Sequence, residues 1–261
     1  MRPHCYHDLS KAENKHWYFA ARRKFIQDLI LRYILPDKKK RDLKILDVGC
    51  GTGGTTDFLT GFGKVIGIEP SEIAINLFKA NYPQLNVVKT DIENMDRLLP
   101  EEDFDLATVL GVLYHKEVKS PLEALKNINR KLKTNGWLIW HEAAYPILKR
   151  KHDQSSDGAR RFLPTQMRQL LKESGFRVFF ESHIGLFIFP PAFLLALLSK
   201  IKSGAQNKKS PAEESSIDRK LLPKYLDALL YGISRLEAKY SLNLFPLPIG
   251  ISYLILARKI K

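Results

Sequence analysis

The 261-residue chain has only two cysteines, Cys5 and Cys50, too few and too far apart for a disulfide scaffold or a thiolate metal centre. A reducing cytoplasm fits that scarcity. The polar start, Met1 to Ser10, holds His4, His7 and Asp8 and leads into no apolar core, so no secretory signal is expected. Long hydrophobic runs are missing too. The most apolar stretch, Ile184–Leu198, is broken by Pro190-Pro191 and falls short of the roughly 20 residues that a membrane-spanning helix needs. Acidic residues are scarce beside basic ones, 28 against 42, for a net charge of +14. Such an excess suits nucleic acid, an anionic membrane surface or acidic substrates, and charge alone does not choose among them. The basic clusters Arg22-Arg23-Lys24, Lys38 to Arg41, Lys149 to Lys151 and Lys200 to Lys209 lack the interleaved aromatics of a single-strand binding surface and read first as solvated faces.

What is present is regular alternation. From Lys44 to Ala144 short apolar runs (Lys44–Val48, Val65–Ile68, Asn86–Lys89, Phe104–Leu110, Trp137–His141) alternate with helical stretches (Thr55–Gly61, Ser71–Asn81, Pro121–Leu132). This is the mark of successive βαβ units and a parallel sheet. A helix over Thr165–Ser174 ends at Gly175, a strand over Phe176–Glu181 follows, and Leu221–Tyr240 and Ile249–Ala257 read as a helix and a closing strand. The expected organisation is an N-terminal helical cap over 1–43, a core over 44–182, a mostly helical insertion over 183–248 with a Lys/Ser-rich linker at Ser199–Ser216, and a last core strand over 249–261.

The first strand runs into Asp47-Val48-Gly49-Cys50-Gly51-Thr52-Gly53-Gly54, a glycine turn that lets a ligand approach the backbone at the mouth of the sheet. Read loosely, Gly49, Gly51 and Gly54 satisfy the dinucleotide pattern G-x-G-x-x-G. Asp47 argues against a dinucleotide, because a carboxylate beside the turn would repel a pyrophosphate. It suits S-adenosylmethionine (SAM), whose methionyl ammonium and sulfonium are positive. Twenty residues after Gly49, Glu69 in Ile68-Glu69-Pro70 can accept hydrogen bonds from ribose hydroxyls, and Asp91 in Thr90-Asp91-Ile92 can accept one from an adenine amino group; the competing roles are a helix-dipole acid and a simple turn residue.

These segments, with Phe104-Asp105 and Leu132–Gly136, resemble the class I SAM-dependent methyltransferases across the whole core. The resemblance implies a Rossmann-like, doubly wound, mostly parallel seven-stranded α/β sheet with an antiparallel last strand and a helical insertion before it. It implies that Asp47, Gly49, Cys50, Gly51 and Gly53 line the methionine moiety, Glu69 and Pro70 the ribose, Asp91 and Ile92 the adenine, and Leu110-Gly111-Val112 the floor beneath the transferred methyl. The product would be S-adenosylhomocysteine. The His16-Trp17-Tyr18-Phe19…Arg22-Arg23 start, His152-Asp153…Gly158…Arg160-Arg161-Phe162 and Leu247-Pro248-Ile249-Gly250 are similar to a bacterial-type small-molecule or lipid subgroup. Where relatives read Leu-Glu-His after the fourth strand, this chain has Leu113-Tyr114-His115.

Methyl transfer is an in-line displacement that needs alignment and, for a weak nucleophile, a base, with no metal required. His115 is the leading base and His141 the second; Trp17, Tyr114, His152, Asp153 and Arg161 are the residues expected at the acceptor. The acceptor is expected to be a small molecule or lipid, under a roof that attaches peripherally to the inner face of an anionic membrane. Nucleic acid is disfavoured, since no base-flipping Asn-Pro-Pro-Tyr or Asp-Pro-Pro-Tyr motif follows the fourth strand. RNA or protein methylation and a non-catalytic SAM-binding adaptor stand as alternatives; a hydride-transferring enzyme is disfavoured by Asp47.

Overall fold

The computed structural model describes residues 3–36, 42–99, 103–149, 157–203 and 222–260. Among them, β1 (Leu43–Val48), β2 (Gly63–Glu69), β3 (Asn86–Lys89), β4 (Phe104–Leu110), β5 (Leu132–Ala143), β6 (Phe176–Ile184) and β7 (Ser252–Lys259) form one sheet in the order β3-β2-β1-β4-β5-β7-β6. All neighbouring pairs are parallel except those of β7, which runs antiparallel to both β5 and β6. Strand order reverses between β1 and β4, which opens a crevice at their carboxyl ends, where open α/β sheets bind ligands.

The helices are α1 (Pro3–Ala12), α2 (Trp17–Leu29, continued by a π turn over Ile30–Ile34), α3 (Gly54–Leu59), α4 (Glu72–Asn81), α5 (Pro121–Lys131), α6 (Pro164–Glu173), α7 (Phe189–Ser203) and α8 (Lys224–Asn243). Side chains of α5 and α6, including Leu125, Ile128, Met167 and Leu171, pack with Leu46, Val109 and Trp140 on one face of the sheet. On the other, Phe25, Ile26 and Leu29 of α2 and Ala238 and Leu242 of α8 pack with Ile45, Ile139 and Leu254. A sheet covered on both faces explains why its central strands are continuously apolar. Ser71 and Ser120 cap α4 and α5 by accepting from the Ala74 and Glu123 amides, and Pro121 follows in the first turn, where its missing N–H costs nothing.

Within the expected helical cap the polar start is a helix, α1, whose Cys5, Tyr6 and Ala12, with Glu13 just beyond, are buried. Two segments depart from the sequence expectation. The run Ile184–Leu198 is divided: β6 takes Ile184, and Pro190-Pro191 sit in the first turn of α7 instead of breaking it. Strand β5 begins at Leu132, across an irregular stretch where Asn135 adopts φ 66° and the register with β4 shifts. Much of the expected linker falls in 204–221, outside the described residues. No helix among the described residues is long and apolar enough to cross a membrane.

Candidate donor and acceptor site

The chain leaves β1 through a turn that three glycines make feasible. Gly49, Gly51 and Gly53 have φ of 68°, 57° and 99°, in the left-handed region, and a Cβ on Gly49 would lie 2.5 Å from Val112 Cγ2. The Gly49 and Cys50 amides both donate to the Ile68 carbonyl, at 2.9 and 3.0 Å, which pins the turn to β2. Burial pushes the Cys50 thiol well above its ordinary range, so it stays neutral and packs against Gly67.

Asp47 is buried, and its two oxygens accept from the Thr56 and Thr108 hydroxyls, each at 2.7 Å. Burial raises its pKa against those bonds and the nearby Arg22 charge. Glu69 sits at the end of β2 with Oε2 accepting from the Gly51 amide (3.1 Å) and Oε1 from the Ser71 amide (3.1 Å) and the Tyr6 hydroxyl (3.3 Å). Pro70 beside it is exposed, and Ile92 is buried. Asp91 follows β3, half-buried. Its carboxylate accepts from the Glu93 and Asn94 amides and the Asn94 side chain, which orders the turn after β3.

A roof comes from the N-terminus. Besides Tyr6 on Glu69, Leu9 lies over Gly51, and Glu13 accepts from the Thr52 hydroxyl at 2.8 Å where a Cβ on Gly54 would fall. Burial pushes the Glu13 carboxyl up to about 7. Sequence reasoning missed Tyr6 and Glu13. The signal was the helical spacing of Cys5, Leu9, Ala12 and Glu13, a stripe too thin to stand out among polar neighbours. The half-buried Trp17 opens α2, its amide held by Asp227 of α8 at 2.9 Å.

The acceptor side gathers at the ends of β4 and β5. Leu110 is half-buried at the end of β4, and Gly111 (φ 73°) donates its amide to the His141 carbonyl at 2.8 Å. Glu142, fully buried, accepts at Oε1 from the Val112 and Leu113 amides and so fixes the loop that follows β4. Further along it the rings of Tyr114 and His115 lie 4.1 Å apart, and the His115 backbone bridges to Gly158. Arg161 donates to the Ala144 carbonyl at 3.1 Å. His141, by contrast, is buried against Tyr18 with Nε2 2.9 Å from the Ser252 hydroxyl, and burial drops its pKa to about 3. It is held neutral and away from solvent. His152 and Asp153 lie outside the described residues.

The crevice fits SAM chemically. It offers a turn that admits a ligand against its backbone, carboxylates at the ends of β1 and β2, and three buried polar atoms without partners, Arg22 Nε, His141 Nδ1 and Glu142 Oε2. The roof is closed tightly. The cavity bounded by Trp17, Tyr18, Arg22, His141 and Ile251 holds about 10 Å³, space for one water.

Residues 18–181 match the family described as "Methyltransferase domain". Over 126 residues the chain is 36% identical to the tRNA U34 carboxymethyltransferases of Glaesserella parasuis serovar 5 (strain SH0165) and Pasteurella multocida (strain Pm70), a match that takes in 45% of this chain. It spans 37% of those relatives' length. Among solved structures, a SAM-dependent methyltransferase from Archaeoglobus fulgidus superposes with TM-score 0.54 at 19% identity, covering 91% of this chain and 94% of that one. A SAM-dependent methyltransferase from Thermotoga maritima, named as a possible histamine N-methyltransferase, gives 0.55 at 21%, covering 98% and 99%. The tRNA-modifying relatives overturn the expectation that set nucleic acid aside as a partner in favour of a small molecule or lipid. That expectation leaned on the absence of short base-flipping motifs, which one subset of nucleic-acid enzymes uses.

Proposed function

The chain belongs to the class I SAM-dependent methyltransferase family, and from that premise we propose that its methyl acceptor is an RNA. The observation that carries this reading is the 36% identity over 126 residues to tRNA-modifying relatives. Its charge agrees: +14 overall favours a polyanion through counterion release. A cleft of about 340 Å³ near the acceptor side is lined by Arg160, Arg161, Gln166 and Gln169 beside Phe162, groups able to hold phosphates and base edges.

When bound, SAM supplies a methyl carbon already activated by its sulfonium. The protein's share is alignment and proton removal. Glu69 offers acceptor oxygens for a ribose diol, and Glu142 holds the loop under the transferred group at a fixed height through the Val112 and Leu113 amides. His115, half-buried at the rim of that loop, takes the acceptor's proton, ahead of His141, whose pKa burial lowers to about 3.

The test is transfer of label from methyl-tritiated SAM to bulk bacterial tRNA. Acid-precipitable label that ribonuclease releases, and whose formation falls steeply between 50 and 200 mM salt, is expected. Label that survives ribonuclease, or none in RNA while SAM still binds, refutes the RNA reading.

A further inference from the structure

SAM carries a zwitterion at its methionyl end, and both halves need partners once water is expelled. Acids are plentiful around the glycine turn: Asp47, Glu13 and Glu69 are all buried there. Cations are fewer, and most are committed. Arg23 donates to the Glu13 carbonyl at 2.6 Å, and Arg161 to the Ala144 carbonyl at 3.1 Å.

Arg22 differs. Its guanidinium lies 5.8 and 5.3 Å from the ring centres of Tyr18 and Phe19, which hold it by cation–π contact against the crevice wall. Its Nη2 reaches the hydroxyl of Thr55, in the first turn after the glycines, only at 3.5 Å, the limit of a hydrogen bond. Its Nε is buried and has no partner, and a buried donor left unmade costs free energy that calls for an explanation. Arg22 also shares a cavity wall with His141, so it stands between the end of β5 and the start of α3. The planar fork of a guanidinium matches a carboxylate through two parallel hydrogen bonds.

We infer that Arg22 is the anchor for the methionyl carboxylate of SAM, a positioning residue that sets the donor's tail and through it the direction of the methyl group.

Calorimetry with SAM and decarboxylated SAM, which differ only by that carboxylate, tests this without any acceptor. The wild-type chain is expected to prefer SAM by roughly tenfold to a hundredfold, the range of a charge-assisted pair. In Arg22→Met the ratio should fall to about one, with the affinity for decarboxylated SAM unchanged within about twofold. Arg22→Lys, which keeps the charge but not the fork, should fall between. A wild-type ratio near one overturns the assignment with no variant needed. So does an Arg22→Met protein that keeps the wild-type ratio, or one that loses both ligands equally, since that pattern means a structural arginine. A chain that binds neither ligand overturns the donor reading itself, a different outcome from a lost preference.

Discussion

Replacing Glu142 by glutamine should make the protein more stable at pH 8 and leave it unchanged near pH 4.5. Glu142 is fully buried, its Oε1 accepts from two loop amides and, at 3.4 Å, from Trp140 Nε1, and its Oε2 has no partner. Burial pushes its pKa from 4.5 to about 7, against the opposing effect of those bonds. The folded state therefore holds a proton that the unfolded chain releases above pH 4.5. Stability from the neutral form is complete below 4.5 and drains away as pH rises through 7. A gap of about 2.5 pH units at 1.36 kcal/mol each gives a ceiling of about 3 kcal/mol. Glutamine keeps an oxygen for the loop amides and cannot ionise, so the variant escapes that loss. For a chain of this length the gain is roughly 5 °C in melting temperature. Denaturation of both proteins from pH 4.5 to 8.5 measures it. Glu13 titrates in the same range with the same sign, but it is common to both proteins and cancels in the difference. A difference that stays constant with pH, or an Glu142→Gln protein less stable than wild type at pH 8, would refute the reasoning.

Gly53→Ala should destabilise the chain by roughly 1–3 kcal/mol and weaken SAM, because φ is 99° there and the new Cβ would meet Tyr82 and Phe78 at 2.7 and 2.8 Å. Urea titration and calorimetry check the two effects, and a neutral substitution would mean that the turn relaxes freely. His115→Ala should slow single-turnover methyl transfer to tRNA by roughly a hundredfold while SAM affinity holds, whereas His141→Ala should spare the rate and lower stability. The reverse pattern would move the base to His141.

The sheet was legible because its signals are local. Strands β3 and β4 begin and end where the apolar runs Asn86–Lys89 and Phe104–Leu110 do, and Ser71 and Ser120 mark helix starts by a side chain that reaches three residues ahead. The glycine turn was legible for the same reason, since left-handed φ values call for glycine. Partnership was not legible. Whether the Asp91 carboxylate faces a ligand or its own turn depends on Asn94, three residues on, and a sequence containing both leaves the two outcomes open. Nor could Tyr6 be assigned to Glu69, 63 positions away, or Arg22 Nε be seen to lack an acceptor, because both are facts of packing. The partner class was misread because the absence of a short base-flipping motif was taken to disfavour nucleic acid, which the net charge had left open.

The bond from the Trp17 amide to Asp227 has a thermodynamic consequence. It ties α2, which closes the donor crevice, to α8, which precedes β7 and belongs to the far end of the chain; Arg32 adds a second tie to the Leu242 carbonyl and the Asn243 side chain. The amides of Gly185 and Phe187, on the connection into α7, are in turn held by Glu237 of α8. If a roof joined this way opens as one body, the work of lifting it for one ligand is already done for the next. Whatever factor the donor contributes to the affinity for the acceptor, the acceptor returns to the donor, because the coupling free energy belongs to the shared roof and not to either ligand. Order of binding then becomes a matter of concentration, set by a tie between segments 210 positions apart.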